Sequence, residues 1–457
     1  MPHALLLENP DLAAVIDIYD SWIRFKMHHN KQPGLAVGLV YAGELIWGRG
    51  FGCADIATKS AVTLDTRFRI ASITKTFTAV GILQLRDAGK LNLDDPVSRR
   101  LDSYSLRYPG APEITIRNLL THTSGLPRDS HNPMWTDCDA PAWEEFIDAM
   151  KSRPPTRAPN HKFAYSNVGY SLLGGVIAQV SGQSWAAYLQ RKILDPLGMS
   201  ATYPLPQRDD PMLAKGYSQL DDQHQRSPLP FFLMNGFEAS ANFASSINDL
   251  VKYAAFHLDD ADDAVLSRHS RRDMHRIHWL EPCWKEGYGL GSMIYKLGDW
   301  TISGHAGGYP GYLTGFTLCR EHNFGLILLT NALGSNPPEY INQGYKLVLP
   351  ELIKATNQPK PAVDPAWRQY EGEYFHEWGN EKVIIRGGQL QIVALDDLDY
   401  PPVILEPTDA EHEFVIQAPG QSNETARFEQ DESGQVTRLW LRNEYAHRKP
   451  QSGEEAP

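Results

Sequence analysis

The chain has 457 residues, 42% hydrophobic and 21% charged, an ordinary globular composition with room for two or three domains. A formal net charge of -12 argues against nucleic acid or an anionic membrane surface as the main partner. Cys53, Cys138, Cys283 and Cys319 are scattered with no CxxC pair, which excludes a disulfide framework or a zinc ribbon and leaves free, mostly buried thiols as the expectation.

The N-terminal stretch lacks a positive n-region, and its apolar run, residues 4–7, is followed by Glu8 and Asp11. No secretory signal and no membrane span is read anywhere, so a cytoplasmic location is expected. Residues 12–28 carry helical periodicity. Two strand-like runs, 35–41 and 44–52, meet at Ala42-Gly43 and predict a β-hairpin. Residues 70–88 (IASITKTFTAVGILQLRDA) predict a helix buried on most sides, with Gly89 as its stop.

From residue 91 to about 240 the pattern is short helices and long loops rich in proline and glycine, a helical subdomain. Thr115 opens one helix there; Asn167 is the expected N-cap of a helix over 168–180, and Ser184 of one over 185–194. Another helix is predicted over 247–258. Strands follow over 289–296, 300–303, 312–319 and 325–331, then a closing helix over 339–355. Strands at both ends bracketing a helical middle predict an α+β fold: one antiparallel β-sheet flanked by helices, with the helical subdomain inserted. Residues 357–364 read as a linker. Beyond it, short alternating segments between 370 and 442 predict an all-β module, most simply a small antiparallel barrel. The expected domains are 1–360 and 361–457.

The chemistry starts in the buried helix. Ser72 and Lys75 stand one turn apart, and desolvation lets such a lysine hold a neutral amine that takes a hydroxyl proton. Alone, S-x-x-K is weak: a capping serine and a snorkelling lysine explain it equally well. But this is the only S-x-x-K in the chain, and it sits at a helix start, where backbone N–H groups favour an oxyanion. Tyr165-Ser166-Asn167 offers a hydroxyl to relay a proton and an amide to hold the lysine or a substrate. The same Y-x-N spacing recurs at Tyr340 and Asn342, inside the closing helix, where it is discounted. Ser303-Gly304-His305-Ala306-Gly307-Gly308 enters a strand whose small residues let a substrate backbone lie along its edge. The Gly308 N–H would join that of Ser72 in an oxyanion hole, with His305 as a polar contact in the cleft.

Three further features carry less. His269, His275 and His278 lie among arginines with no HExxH, and read as a solvated charged face. His122 reads as a structural turn residue. No G-x-S-x-G elbow occurs, against an α/β-hydrolase. No cofactor or metal is expected.

In order and spacing, Ser72-x-x-Lys75, Tyr165-x-Asn167 about ninety residues on, and a late H-A-G triplet resemble the serine β-lactamase-related superfamily, in its class C branch with DD-peptidases and esterases. Phe68-Arg69-Ile70-Ala71 before Ser72 and the phrase LLTHTSGLP over 119–127 add to the likeness, which covers residues 12–355. The tail resembles the lipocalin-like C-terminal domain of some members. The resemblance implies an acylated Ser72, acid and base work shared by Lys75 and Tyr165, substrate orientation by Asn167, and His305-Ala306-Gly307 at the K-T-G position. Histidine replaces lysine there, which resembles D-aminopeptidase, carboxypeptidase-like and esterase members more than dedicated β-lactamases. The expected activity is a serine hydrolase acting on a small molecule or short peptide. The alternative is a non-catalytic, penicillin-binding-like binding or scaffold protein. The tail is expected to close the cleft or to make homo-oligomer contacts.

Overall fold

The computed structural model describes residues 8–101, 107–130, 134–259, 263–357, 364–417 and 424–450. Most of the expected linker, the run over 4–7 and the last seven residues lie outside them. The chain forms two compact units, Gln32–Ile341 and the combination of Met1–Lys31 with Asn342–Pro457.

The larger unit holds a nine-stranded sheet. Strands β1 (Gly34–Tyr41) and β2 (Glu44–Asp55) form the predicted hairpin. Its two-residue turn has Ala42 at φ 49° and Gly43 at φ 85°, the left-handed pair that matches strand twist. After β3 (Ser60–Ala61), the chain returns to the sheet as β4 (Trp279–Leu280), β5 (Glu286–Tyr288), β6 (Met293–Leu297), β7 (Trp300–Tyr309), β8 (Tyr312–Cys319) and β9 (Phe324–Thr330). The spatial order is β3-β2-β1-β9-β8-β7-β6-β5-β4, and every described pairing in it is antiparallel. β1 and β9 are buried along almost their whole length, as expected of central strands covered on both faces.

One pairing matters for function. β6 meets β7 only from Trp300 to Gly304, while β8 pairs with β7 from Ser303 to Tyr309. The glycine-rich segment therefore lies inside one ten-residue strand whose second half is paired on one side only, not at a strand entry after residue 303.

Between the two runs of strands lies the helical part. Helix α1 (Thr74–Asp87) follows a 3-10 turn at Ala71–Ile73 and buries Phe77, Val80, Ile82, Leu83 and Leu85. It packs against α2 (Asn167–Ser181), with Gly81 leaving room for Ile177 and Leu189. Helix α3 (Ile247–Leu258) lies on β1 and β9, where a Cβ at Gly38 would meet Ile247 at 2.8 Å.

In the other unit, eight antiparallel strands between Gly372 and Arg448 close into a barrel, the first pairing with the last. The segments expected over 370–375, 382–386, 389–395, 414–417, 426–429 and 437–442 leave out two of these strands, Val403–Pro407 and Glu444–Arg448. Tyr374, Val383, Leu390, Leu405, Phe414, Phe428 and Leu439 fill its core. The helix Pro10–His29 belongs to this unit: Lys382, 5% exposed, bonds Ser21 at 2.7 Å and Asp17 at 2.7 Å. Arg386 and Lys354 clamp the buried Glu351 at 2.6 and 2.9 Å. Among the described residues no helix is long and apolar enough to cross a membrane.

Candidate active site

The backbone around Ser72 is held from two directions. On one side Phe68–Arg69 pairs with Ala244–Ser245, and the Ile70 N–H donates to Phe243 O at 2.9 Å. On the other, the Thr314 hydroxyl donates to Ile70 O at 3.2 Å. Gly307 sits so close to this turn that a Cβ would lie 2.3 Å from Ile70 O and 2.2 Å from the Thr314 hydroxyl. Ala71 takes a left-handed φ of 49°, an uncommon conformation for alanine that turns the chain into α1. Ser72 is left half-buried on the wall of a cleft of about 490 Å³.

Lys75 is fully buried. Its Nζ lies 3.1 Å from Ser72 Oγ, 2.7 Å from Asn167 Oδ1 and 2.8 Å from Ser240 O. Burial holds its pKa well below the usual lysine value; the Arg128 charge pushes the same way, and Asp129 opposes them. A neutral amine has two N–H donors and one lone pair. Asn167 and Ser240 can only accept, so they take the donors and the lone pair faces the Ser72 hydroxyl.

Asn167 is not the N-cap predicted from sequence. Ser166 caps α2, its hydroxyl accepting from Gly169 N at 3.0 Å, and Asn167 is the first helical residue. The Asn167 side chain is thus free to reach Lys75, while its Nδ2 donates to Asp129 Oδ1 at 2.6 Å. That bond fixes which end of the amide faces the lysine.

The Tyr165 hydroxyl has its pKa raised above the usual phenol value by burial, with the neighbouring Ser72 hydroxyl opposing that rise. It keeps its proton at neutral pH. Its ring lies 4.8 Å from Lys75 Nζ and 5.5 Å from the Arg128 guanidinium.

His305 lines the cleft, but neither ring nitrogen is free for a substrate carboxylate. Nδ1 is 2.6 Å from Ala306 O, and Nε2 is 3.0 Å from the Tyr288 hydroxyl. Tyr288 in turn is 3.2 Å from His122 Nε2, whose Nδ1 accepts from Ser166 N at 3.0 Å. The protons follow: Ser166 N–H to His122, His122 Nε2–H to Tyr288, Tyr288 O–H to His305 Nε2, and His305 Nδ1–H to Ala306 O. Burial, with a contribution from Lys75, lowers the His305 pKa to about 3, so the ring is uncharged at neutral pH. His122 does occupy a turn, at φ 56°, yet its ring also lies 4.3 Å from that of Tyr165.

Gly307 and Gly308 lie on the half-paired part of β7 and line the cleft with Ser72, Tyr165 and Asn167. The structure thus brings together every side chain singled out from sequence. Asp129, the Ser240 carbonyl, Tyr288 and the apolar lining of Trp135, Met293 and Leu313 were not among them. The histidines over 269–278 lie elsewhere, and they are not a uniformly solvated face: His275 packs on His257, Nε2 to Nδ1 3.1 Å. Of the thiols, Cys319 is buried, Cys53 and Cys138 are half-buried, and Cys283 is exposed.

The Beta-lactamase family model matches residues 19–348, most of the chain. The chain belongs to the Beta-lactamase family. This is a family of serine-hydrolase type. Among relatives of this Beta-lactamase family chain, Penicillin-binding protein 4* of Bacillus subtilis (strain 168) is 27% identical over 386 residues, 77% of this chain and 83% of that protein. Protein flp of Staphylococcus aureus is 27% identical over 325 residues, 70% of this chain but only 64% of flp. The octameric penicillin-binding protein homologue from Pyrococcus abyssi superposes with a TM-score of 0.66 at 28% identity, covering 94% of this chain and 99% of that one.

Proposed function

We propose that the protein is a serine hydrolase working through an acyl-enzyme on Ser72. Lys75 takes the Ser72 proton as the hydroxyl attacks an amide, ester or β-lactam carbonyl. Tyr165, protonated and beside Ser72 in the cleft, passes a proton to the leaving group. The N–H groups of Ser72 and Gly308 hold the oxyanion. Asn167, anchored by Asp129, orients the lysine and the substrate amide, and the free side of β7 along His305–Gly308 takes the substrate main chain. Water then releases the acyl group. Peptides and esters, as in the peptidase and esterase members of the class C branch, are the favoured substrates, because His305 is uncharged and offers no lysine-like grip on a β-lactam carboxylate. The hydrolase machinery lies in the unit Gln32–Ile341, and the unit that combines Met1–Lys31 with Asn342–Pro457 carries the lipocalin-like barrel.

The observation that carries this reading is the placement of Lys75 Nζ. It is wholly buried, with Asn167 Oδ1 at 2.7 Å and Ser240 O at 2.8 Å to accept two N–H donors and the serine oxygen at 3.1 Å. The test is intact-mass analysis after a fluorophosphonate or a reactive β-lactam, alongside turnover of a chromogenic ester. An adduct on Ser72 that is absent in Ser72→Ala is expected, with loss of turnover in both Ser72→Ala and Lys75→Ala to a similar extent, because the residues act as a unit. Undiminished turnover by folded Ser72→Ala would refute it.

A further inference from the structure

A second cavity, of about 550 Å³, is lined by Tyr309 of β7, Tyr312 of β8, Arg69 and residues of the segment 208–231. One wall is Arg69, 1% exposed. Its Nη1 donates to Phe232 O and its Nη2 to Asn242 Oδ1, both at 2.9 Å. Its guanidinium stacks 4.1 Å from the Tyr309 ring centroid and 5.5 Å from that of Phe231. The Nε has no hydrogen-bond partner, and among the described residues no carboxylate pairs with this arginine. A full charge in a desolvated site is thus met only by neutral oxygens and ring faces, an arrangement that favours an incoming anion.

The acidic residues on the lining do not fill that role. Asp55 is held by Lys215 at 2.8 Å, and Asp210 by Arg67 at 2.6 Å. Asp209 is exposed at the rim beside Arg208. The hydroxyls of Tyr309 and Tyr312 donate to Phe232 O and Ala214 O, so what these residues offer the cavity is ring surface.

We propose that this cavity binds a small organic carboxylate, distinct from the chemistry at Ser72. The carboxylate would sit in the cavity against Arg69, whose charge has no acidic partner among the described residues; because Nε–H lies beneath the surface, the two-bond contact requires a small shift of the side chain toward the ligand. The apolar body would lie against Phe231, Tyr309 and Tyr312. Arg208 and Lys215 also line the cavity, but Arg208 donates to Phe231 O and Lys215 is paired with Asp55, so one unpaired guanidinium between aromatic walls suits a planar monoanion better than a phosphate. The inference is independent of the acyl-enzyme reading.

Calorimetric titration of the full chain tests it, with benzoate, its neutral isostere benzamide, and inorganic phosphate as probes, in wild type and in Ser72→Ala. Saturable one-to-one binding of benzoate to both proteins is expected, with benzamide and phosphate each at least about tenfold weaker. Arg69→Gln should lose the benzoate signal. Because that buried change can prevent folding, Pro230→Trp serves as the second variant. It plugs the mouth from an exposed position, leaves the Arg69 bonds intact, and should abolish benzoate binding while ester turnover persists. Equal binding of benzoate and benzamide, tighter binding of phosphate, absence of benzoate binding to wild type, or full binding in Pro230→Trp would each overturn the proposal.

Discussion

Gly307→Ala isolates the contact between strand β7 and the turn that carries Ser72. A Cβ there would lie 2.3 Å from Ile70 O and 2.2 Å from the Thr314 hydroxyl, so ordinary contact requires a shift of about 1 Å in at least one of them. Ile70 precedes Ser72 by two residues in a turn anchored on both sides, and has little freedom to yield without carrying Ser72 with it. Overpacking of this kind costs about 1–3 kcal/mol of stability. A displacement of about 1 Å at reacting groups lowers rates by about a hundredfold. The control is one residue away: a Cβ at Gly308 would meet only Leu313 Cδ2, at 3.7 Å, so Gly308→Ala should keep wild-type stability. Urea unfolding of both variants and kcat/KM for a chromogenic ester measure the two effects. Gly307→Ala with wild-type stability and turnover, or Gly308→Ala with the larger stability loss, would refute the steric reasoning.

Two further outcomes follow from burial and charge. His305 has a folded pKa of about 3 against 6.5 for the free side chain, so the unfolded chain binds its proton first. Its stability contribution is full above pH 6.5 and falls as the pH drops toward 3, by about 1.4 kcal/mol per pH unit inside that window. Urea unfolding at a series of pH values should show a shallower acid loss in His305→Gln than in wild type; equal slopes would contradict this. Burial alone would raise the Glu351 carboxyl, but the bonds from Lys354 and Arg386 outweigh it and hold its pKa below the usual value. Glu351→Ala strands a half-buried arginine and should lower unfolding stability by about 2–3 kcal/mol, read from the denaturant midpoint.

The catalytic candidates were legible because they are side chains at short, ordered spacings: Ser72 with Lys75 on one helical turn, Tyr165 with Asn167 beside a helix start. The partners that hold Lys75 and Asn167 in place were less so. Ser240 contributes a main-chain carbonyl, which leaves no trace in residue type, and Asp129 lies in a loop where aspartate reads as a turn residue. Asn167 was misread as a cap because two adjacent residues could both serve; Ser166 does, and the asparagine is released. The glycines of β7 read as the entry to a strand rather than its interior, whereas Gly304 and Gly307 are small because Phe316 O and Ile70 O press on them. In the barrel, Val403–Pro407 begins beside two prolines, and Glu444–Arg448 carries a single buried residue, Ala446, so neither shows clear alternation.

The helix Pro10–His29 and the barrel form one unit, although Asp17 and Lys382, which pair within it, stand at opposite ends of the sequence. During synthesis the helix emerges first and its partner strand more than three hundred residues later. At about 5–20 residues per second it waits on the order of half a minute, carrying its apolar side through the whole time the sheet unit is being made. Order of synthesis therefore predicts that the sheet unit, with the turn that carries Ser72, condenses early and the terminal unit closes last.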